Sequence, residues 1–163
     1  MNGVKKTAMK QSEPAQLPEV SDETLQRFIG YRIRRASNVM QGELPVALKP
    51  FGLRMITFTA LVLIVDNPGL SQSRLAAAMD VERPNLVVII DELENRDLIN
   101  RDRVPTDRRA YALTPTLAGR RLCEKAVAAV EANETRILKD FDPELLAMAG
   151  EVMTRILNER KGG

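Results

Sequence analysis

Residues 80–114, DVERPNLVVIIDELENRDLINRDRVPTDRRAYALT, constrain the fold of this 163-residue chain more than any other stretch. Leu86, Ile89, Ile90 and Leu93 recur at helical spacing, and Pro84 falls in the first turn, where a missing N–H costs nothing. Two short strands follow, residues 98–102 and 110–113, joined through Val104-Pro105-Thr106. Arg101, Arg103, Arg108 and Arg109 surround that turn, set against Asp102 and Asp107. Just upstream, residues 70–79 (LSQSRLAAAM) read as a short helix capped by Ser71. Two short helices followed by an arginine-tipped hairpin outline a winged helix-turn-helix. Such a unit places one helix in the DNA major groove and a loop in a neighbouring groove, so double-stranded DNA is the expected partner.

Outside this unit the pattern is helical. Ser21 is a candidate N-cap with Asp22 and Glu23 in the favourable first turn. Leu25, Ile29, Ile33, Ala36 and Met40 then extend a helix to residue 42 or 44, where Pro45 and Pro50 interrupt it. Residues 55–65 are ambiguous. Their Thr, Val, Ile and Phe content suits a buried strand, and their length suits a buried helix equally well. Asn67-Pro68-Gly69 is a turn. Thr114-Pro115 has the form of an N-cap with proline at the first helical position, predicting a long helix to about Lys139. Asp142-Pro143 opens the last helix, whose apolar face carries Leu145, Leu146, Ala149, Val152, Met153, Ile156 and Leu157.

The terminal helices carry more apolar surface than two short helices and a hairpin can cover. The expected fold is therefore mainly α, a winged helix-turn-helix with N- and C-terminal dimerisation helices. The divisions are a disordered arm over residues 1–20, a dimerisation helix over 21–50, the DNA-binding region over 51–114 and C-terminal dimerisation helices over 115–163. A homodimer suits a palindromic site whose half-sites lie about one helical turn apart. The alternative is a monomer whose terminal helices fold back on its own core.

Composition removes several other classes. The chain has no histidine and one cysteine, so the commonest general base, a Cys/His zinc cluster and a disulfide framework are all missing. With no glycine-rich phosphate loop either, neither an enzyme nor a bound cofactor or metal is expected. Cys123 shares an apolar stripe with Leu122 and Ala126 and reads as a core residue. The redox-sensing alternative needs a lowered thiol pKa and solvent access, with Arg120 and Arg121 nearby. Net charge is only +2, and residues 71–114 hold seven Arg against eight Asp or Glu, so placement rather than total charge carries the DNA reading. No run approaches the roughly 18 apolar residues that span a bilayer. The lysines near the N-terminus adjoin no apolar segment, so neither a membrane association nor a secretory signal is expected and a cytoplasmic location is.

Asp107-Arg108-Arg109 followed by Leu113-Thr114, together with Asp91-Glu92-Leu93 and Asp97-Leu98-Ile99, resembles the pattern running from recognition helix into wing in the MarR family of bacterial transcriptional regulators. The order of elements over residues 21–160 is similar too. The resemblance implies a helix over residues 55–65 and a ligand-responsive regulator, most often a repressor. It also implies wing roles for Arg108 and Arg109, with Arg109 the structural one, pairing with Asp91 or Asp107. Two departures stand out. Gly119 comes later than the family's usual glycine, and Val87 and Val88 occupy positions where polar or basic residues are common.

With Leu86, Ile90 and Leu93 inward, Arg83, Pro84, Asn85, Val87 and Val88 face the groove. Arg83 suits guanine and Asn85 suits adenine, unless both touch only phosphates, and the valines suit thymine methyl groups. Ser71, Ser73 and Arg74 are candidate phosphate contacts at a helix start. Phe28, Arg32 and Arg35 along one edge of the first helix suit a planar anionic effector through stacking and charge-assisted bonds, unless these arginines form intersubunit ion pairs. Overall similarity to a subgroup controlling hydroxycinnamate breakdown implies a small aromatic acid or its CoA thioester as effector. A winged-helix protein-interaction module, favoured by the two valines, is the remaining alternative.

Overall fold

The computed structural model describes residues 20–159 apart from the hairpin tip at 105–106; the side chains of residues 103–111 also fall outside the described set. The expected N-terminal arm therefore lies outside it, save for Val20. The described residues divide into two compact units, parted between Arg35 and Ala36.

In the first unit a 3-10 turn, Leu25–Arg27, precedes helix α1, Ile29–Leu48, which continues into the second unit. The helix does not start at Ser21. That hydroxyl accepts only a long 3.5 Å bond from the Glu23 N–H. Phe28 is extended, with φ −95° and ψ 120°. Its carbonyl then accepts from the N–H groups of Tyr31 and Arg32, and α1 begins there. Nor does Pro45 end the helix, since it lies inside α1. Leu48, three residues beyond, is fully buried, and its burial holds the last turn in place against the hydrogen bond that proline removes.

The second unit is built around α2, Met55–Asp66. Thr57, Ala60, Leu61 and Ile64 are its buried positions, spaced as one helical face, which settles the ambiguity over residues 55–65 in favour of helix. There follow β1 (Leu70–Ser71), α3 (Gln72–Met79), α4 (Arg83–Asn95), β2 (Ile99–Val104), β3 (Asp107–Pro115), α5 (Leu117–Leu138) and α6 (Pro143–Glu159). The strands form an antiparallel sheet in the order β1-β3-β2, with Leu70 opposite Leu113 and Arg101 also opposite Leu113 from the other side. Strand β1 is not foreshadowed by the sequence pattern, because two residues cannot show alternation. Leu48, Leu61, Ile64, Leu75, Leu86, Ile90, Leu93, Ile99 and Leu113 form the fully buried centre.

The start of α5 differs from the expected one. Thr114 and Pro115 complete β3, paired with Asn100 and Ile99, and the Thr114 hydroxyl donates to Asp102 at 2.8 Å. Thr116 is the N-cap instead. Its Oγ1 accepts from the Gly119 N–H at 2.9 Å and donates to the Asp97 carbonyl at 2.7 Å. A Cβ on Gly119 would lie 1.9 Å from the Leu98 carbonyl oxygen, so only glycine lets the helix start meet the strand this closely. Helix α6 has no buried residue, and Leu145, Met148, Val152, Met153, Ile156 and Leu157 are all exposed on it.

Candidate nucleic-acid interface

Helix α3 begins where Ser71 leaves β1. The Ser71 hydroxyl accepts from the Arg74 N–H at 3.3 Å and so serves as the cap, half-buried, while Ser73 and Arg74 one turn on are exposed. Asp80, in the left-handed conformation at φ 52°, ends α3 and turns the chain toward α4. Pro84 sits in the first turn of α4, where its fixed φ suits helix entry.

On α4, Leu86, Ile89, Ile90 and Leu93 are buried and Arg83, Pro84, Asn85, Val87 and Val88 are exposed, the last two by 43% and 63%. The inward stripe thus fixes the outward face by subtraction, as the periodicity implied. The Arg83 guanidinium donates to Ser73 Oγ at 3.3 Å, bringing two predicted site residues of different helices together. A serine hydroxyl that accepts from arginine keeps its own proton free to donate to a phosphate oxygen. The backbones of Arg108 and Arg109 lie in β3; their side chains, and the wing roles expected of them, fall outside the described residues.

The acidic half of α4 faces elsewhere. Arg101 donates from Nε to Glu94 at 2.6 Å and pairs with Asp91 as well. Arg101 was expected around the hairpin turn with the other arginines. Its side chain instead turns back onto α4 and is only 22% exposed. Asp91, one of the two carboxylates expected to pair with Arg109, thus has Arg101 as a partner, while the Arg109 side chain lies outside the described residues. Arg54 pairs with Glu92. Three carboxylates that weigh against a polyanion in the charge count are therefore held by arginines on the C-terminal half of α4, while the exposed N-terminal half carries one cation and no acid beyond Glu82 at the cap. Charge placement survives where charge total misleads.

The expected effector residues lie in the first unit. Phe28 is 59% exposed but precedes α1 rather than lying on it. Arg32 Nε donates to the Gln26 carbonyl at 2.6 Å, which ties it to the 3-10 turn. Tyr31, which sequence reasoning passed over, donates its hydroxyl to Asp22 at 2.5 Å. That bond, with help from Gln26 and the Arg35 charge, holds the Asp22 carboxyl below the ordinary aspartate range. Arg34 stacks over the Tyr31 ring at 5.5 Å. Arg32 and Arg34 thus already have local partners.

Cys123 is 4% exposed in the core. Burial, and secondarily the Asp66 charge, push its thiol above the ordinary value, the opposite of what a redox switch needs. Ellman's reagent is expected to modify Cys123 only after denaturant is added; stoichiometric reaction of the native protein would reverse this reading.

Two helices, the second presenting an exposed face, followed by a hairpin define a winged helix-turn-helix. Residues 53–111 match the MarR family. The chain is 31% identical over 110 residues to an HTH-type transcriptional repressor of Mycobacterium bovis, covering 68% of this chain and 79% of that protein. It is 46% identical over 85 residues to a protein assigned as transcriptional regulator of the hcr operon in Thauera aromatica, covering 52% of this chain. That match takes in about half of the latter protein's length, 49%. The structure superposes on the transcriptional repressor CouR bound to a 23-mer DNA duplex with a TM-score of 0.80 at 28% identity, covering 85% of this chain and 99% of that one. CouR of Rhodococcus jostii RHA1 bound to p-coumaroyl-CoA gives 0.73 at 29% identity over 83% and 95%. The chain belongs to the MarR family.

Proposed function

We propose that the chain is a homodimeric, cytoplasmic transcriptional repressor that binds a palindromic operator through α4 and releases it on binding a small aromatic acid or its CoA thioester. The exposed face formed by Arg83, Pro84, Asn85, Val87 and Val88, backed by carboxylates already paired to arginines, carries the DNA reading. Ser73 and Arg74 supply phosphate contacts, Ser71 orders the turn that presents them, and Arg108 extends the contact from a wing that Arg109 shapes. The unburied apolar face of α6 supports a dimer, since six exposed aliphatic and methionine side chains on one helix favour a partner surface. The effector class rests on likeness to CouR, which has been solved with p-coumaroyl-CoA, and on the aromatic and guanidinium groups of Phe28, Arg32 and Arg35. Ligand acts by favouring a dimer geometry that no longer matches the groove spacing, which requires tighter binding to the DNA-free form.

Fluorescence-anisotropy titration against the chain's own upstream DNA and a scrambled duplex, at two salt concentrations, tests this. Preference for one duplex that persists as salt rises, and release by p-coumaroyl-CoA, are the expected results. Equal binding to both that vanishes with salt would leave only phosphate attraction and favour the protein-interaction module.

A further inference from the structure

We infer that Arg96 is the positioning residue that sets the angle of the recognition helix against α1, and so the spacing of two recognition helices in a dimer. The inference rests on the DNA-binding dimer proposed above. Arg96 is the C-cap of α4. Its guanidinium reaches across to the turn between α1 and α2, donating from Nη1 to the Gly52 carbonyl at 2.7 Å and from Nη2 to the Phe51 carbonyl at 2.8 Å. Gly52 is left-handed at φ +60°, and a Cβ there would sit 3.4 Å from Arg96 Nη2, so the guanidinium lies directly over the turn. Arg54, the N-cap of α2, reaches back to Glu92. Glu92 and Arg96 are four residues apart and so share one face of α4. Both struts land within residues 51–54.

Apolar packing through Leu93 and Ile90 is non-directional and leaves α4 free to roll or slide by small amounts. Two hydrogen bonds from one planar fork to adjacent carbonyls are directional and remove that freedom. The turn they grip follows directly on Leu48, the fully buried end of α1. The orientation of α4 is thereby referred to the end of α1, not merely to the core beneath it.

The test uses a palindromic duplex selected by the wild-type protein from random-sequence DNA, the same duplex with one base pair inserted between its half-sites, and a single half-site duplex. Arg96→Ala is expected to weaken binding to the natural palindrome about tenfold. It should also reduce the preference for natural over lengthened spacing, while half-site affinity stays within about twofold. Arg96→Lys keeps the charge but not the fork, and is expected to fall between wild type and Arg96→Ala; it carries the test if the alanine variant does not fold. Equal loss on all three duplexes, or unchanged spacing preference in both variants, would overturn the inference. Failure of the wild-type protein to select any DNA would instead overturn the DNA-binding reading on which it stands.

Discussion

Arg83→Ala and Asn85→Ala are each expected to weaken operator binding by about 1–3 kcal/mol, roughly five- to 150-fold, with binding to scrambled DNA nearly unchanged. Arginine and asparagine can each present two hydrogen bonds to one base edge, and an unmatched edge loses both. Both side chains are exposed at the start of α4 and neither supports the core, so their removal leaves the fold intact. The Arg83 bond to Ser73 is a single interaction with a neutral hydroxyl at 3.3 Å, weak enough to yield to a base. Arg74→Ala is the informative comparison. Removing a cation that meets only phosphate lowers affinity for both duplexes alike and reduces the salt slope by about one. If Arg83→Ala and Asn85→Ala behaved like Arg74→Ala in competition titrations, base reading by this face would be excluded.

Gly119→Ala is expected to destabilise the fold by about 3 kcal/mol, lowering the thermal midpoint by about 6–12 °C. The added methyl would stand 1.9 Å from the Leu98 oxygen and 2.9 Å from its carbonyl carbon. Those atoms are backbone, so no side chain can rotate away and the strand must part from the helix start. That separation also breaks the Thr116 bonds to Gly119 and Asp97, which close the same junction. Gly150→Ala on α6 is the control. No atom lies within 4 Å of a Cβ there, and the same change should raise stability by up to about 1 kcal/mol through helix propensity. Differential scanning calorimetry of the two variants separates local crowding from a general effect of replacing glycine; similar midpoints would refute the close approach at Leu98.

The main helices were legible because each carries an apolar stripe, exposed on α6 and buried on α4, and the recognition face was legible as the complement of the buried one. Helix α2 was not, because a segment apolar on most sides shows neither the helical nor the strand period; the family resemblance decided it. Thr114 and Thr116 are both sound N-caps by local chemistry. The choice between them is made by pairing of Thr114 and Pro115 with β2, which is tertiary. Arg101 looked like its neighbours at the turn because sequence gives the residue type and not the direction its side chain takes. The clamp by Arg96 joins residues 44 and 45 positions apart and left no local trace.

The division of α4 into a braced half and an open half has an evolutionary consequence. Arg54, Arg96 and Arg101 secure the helix from residue 91 onward, whereas residues 83–88 contribute only Leu86 to the core. Substitutions at 83, 85, 87 and 88 can accumulate without loosening the seat of the helix. A lineage carrying this scaffold is therefore free to drift toward new operators, and a grafted set of reading residues finds its platform already built.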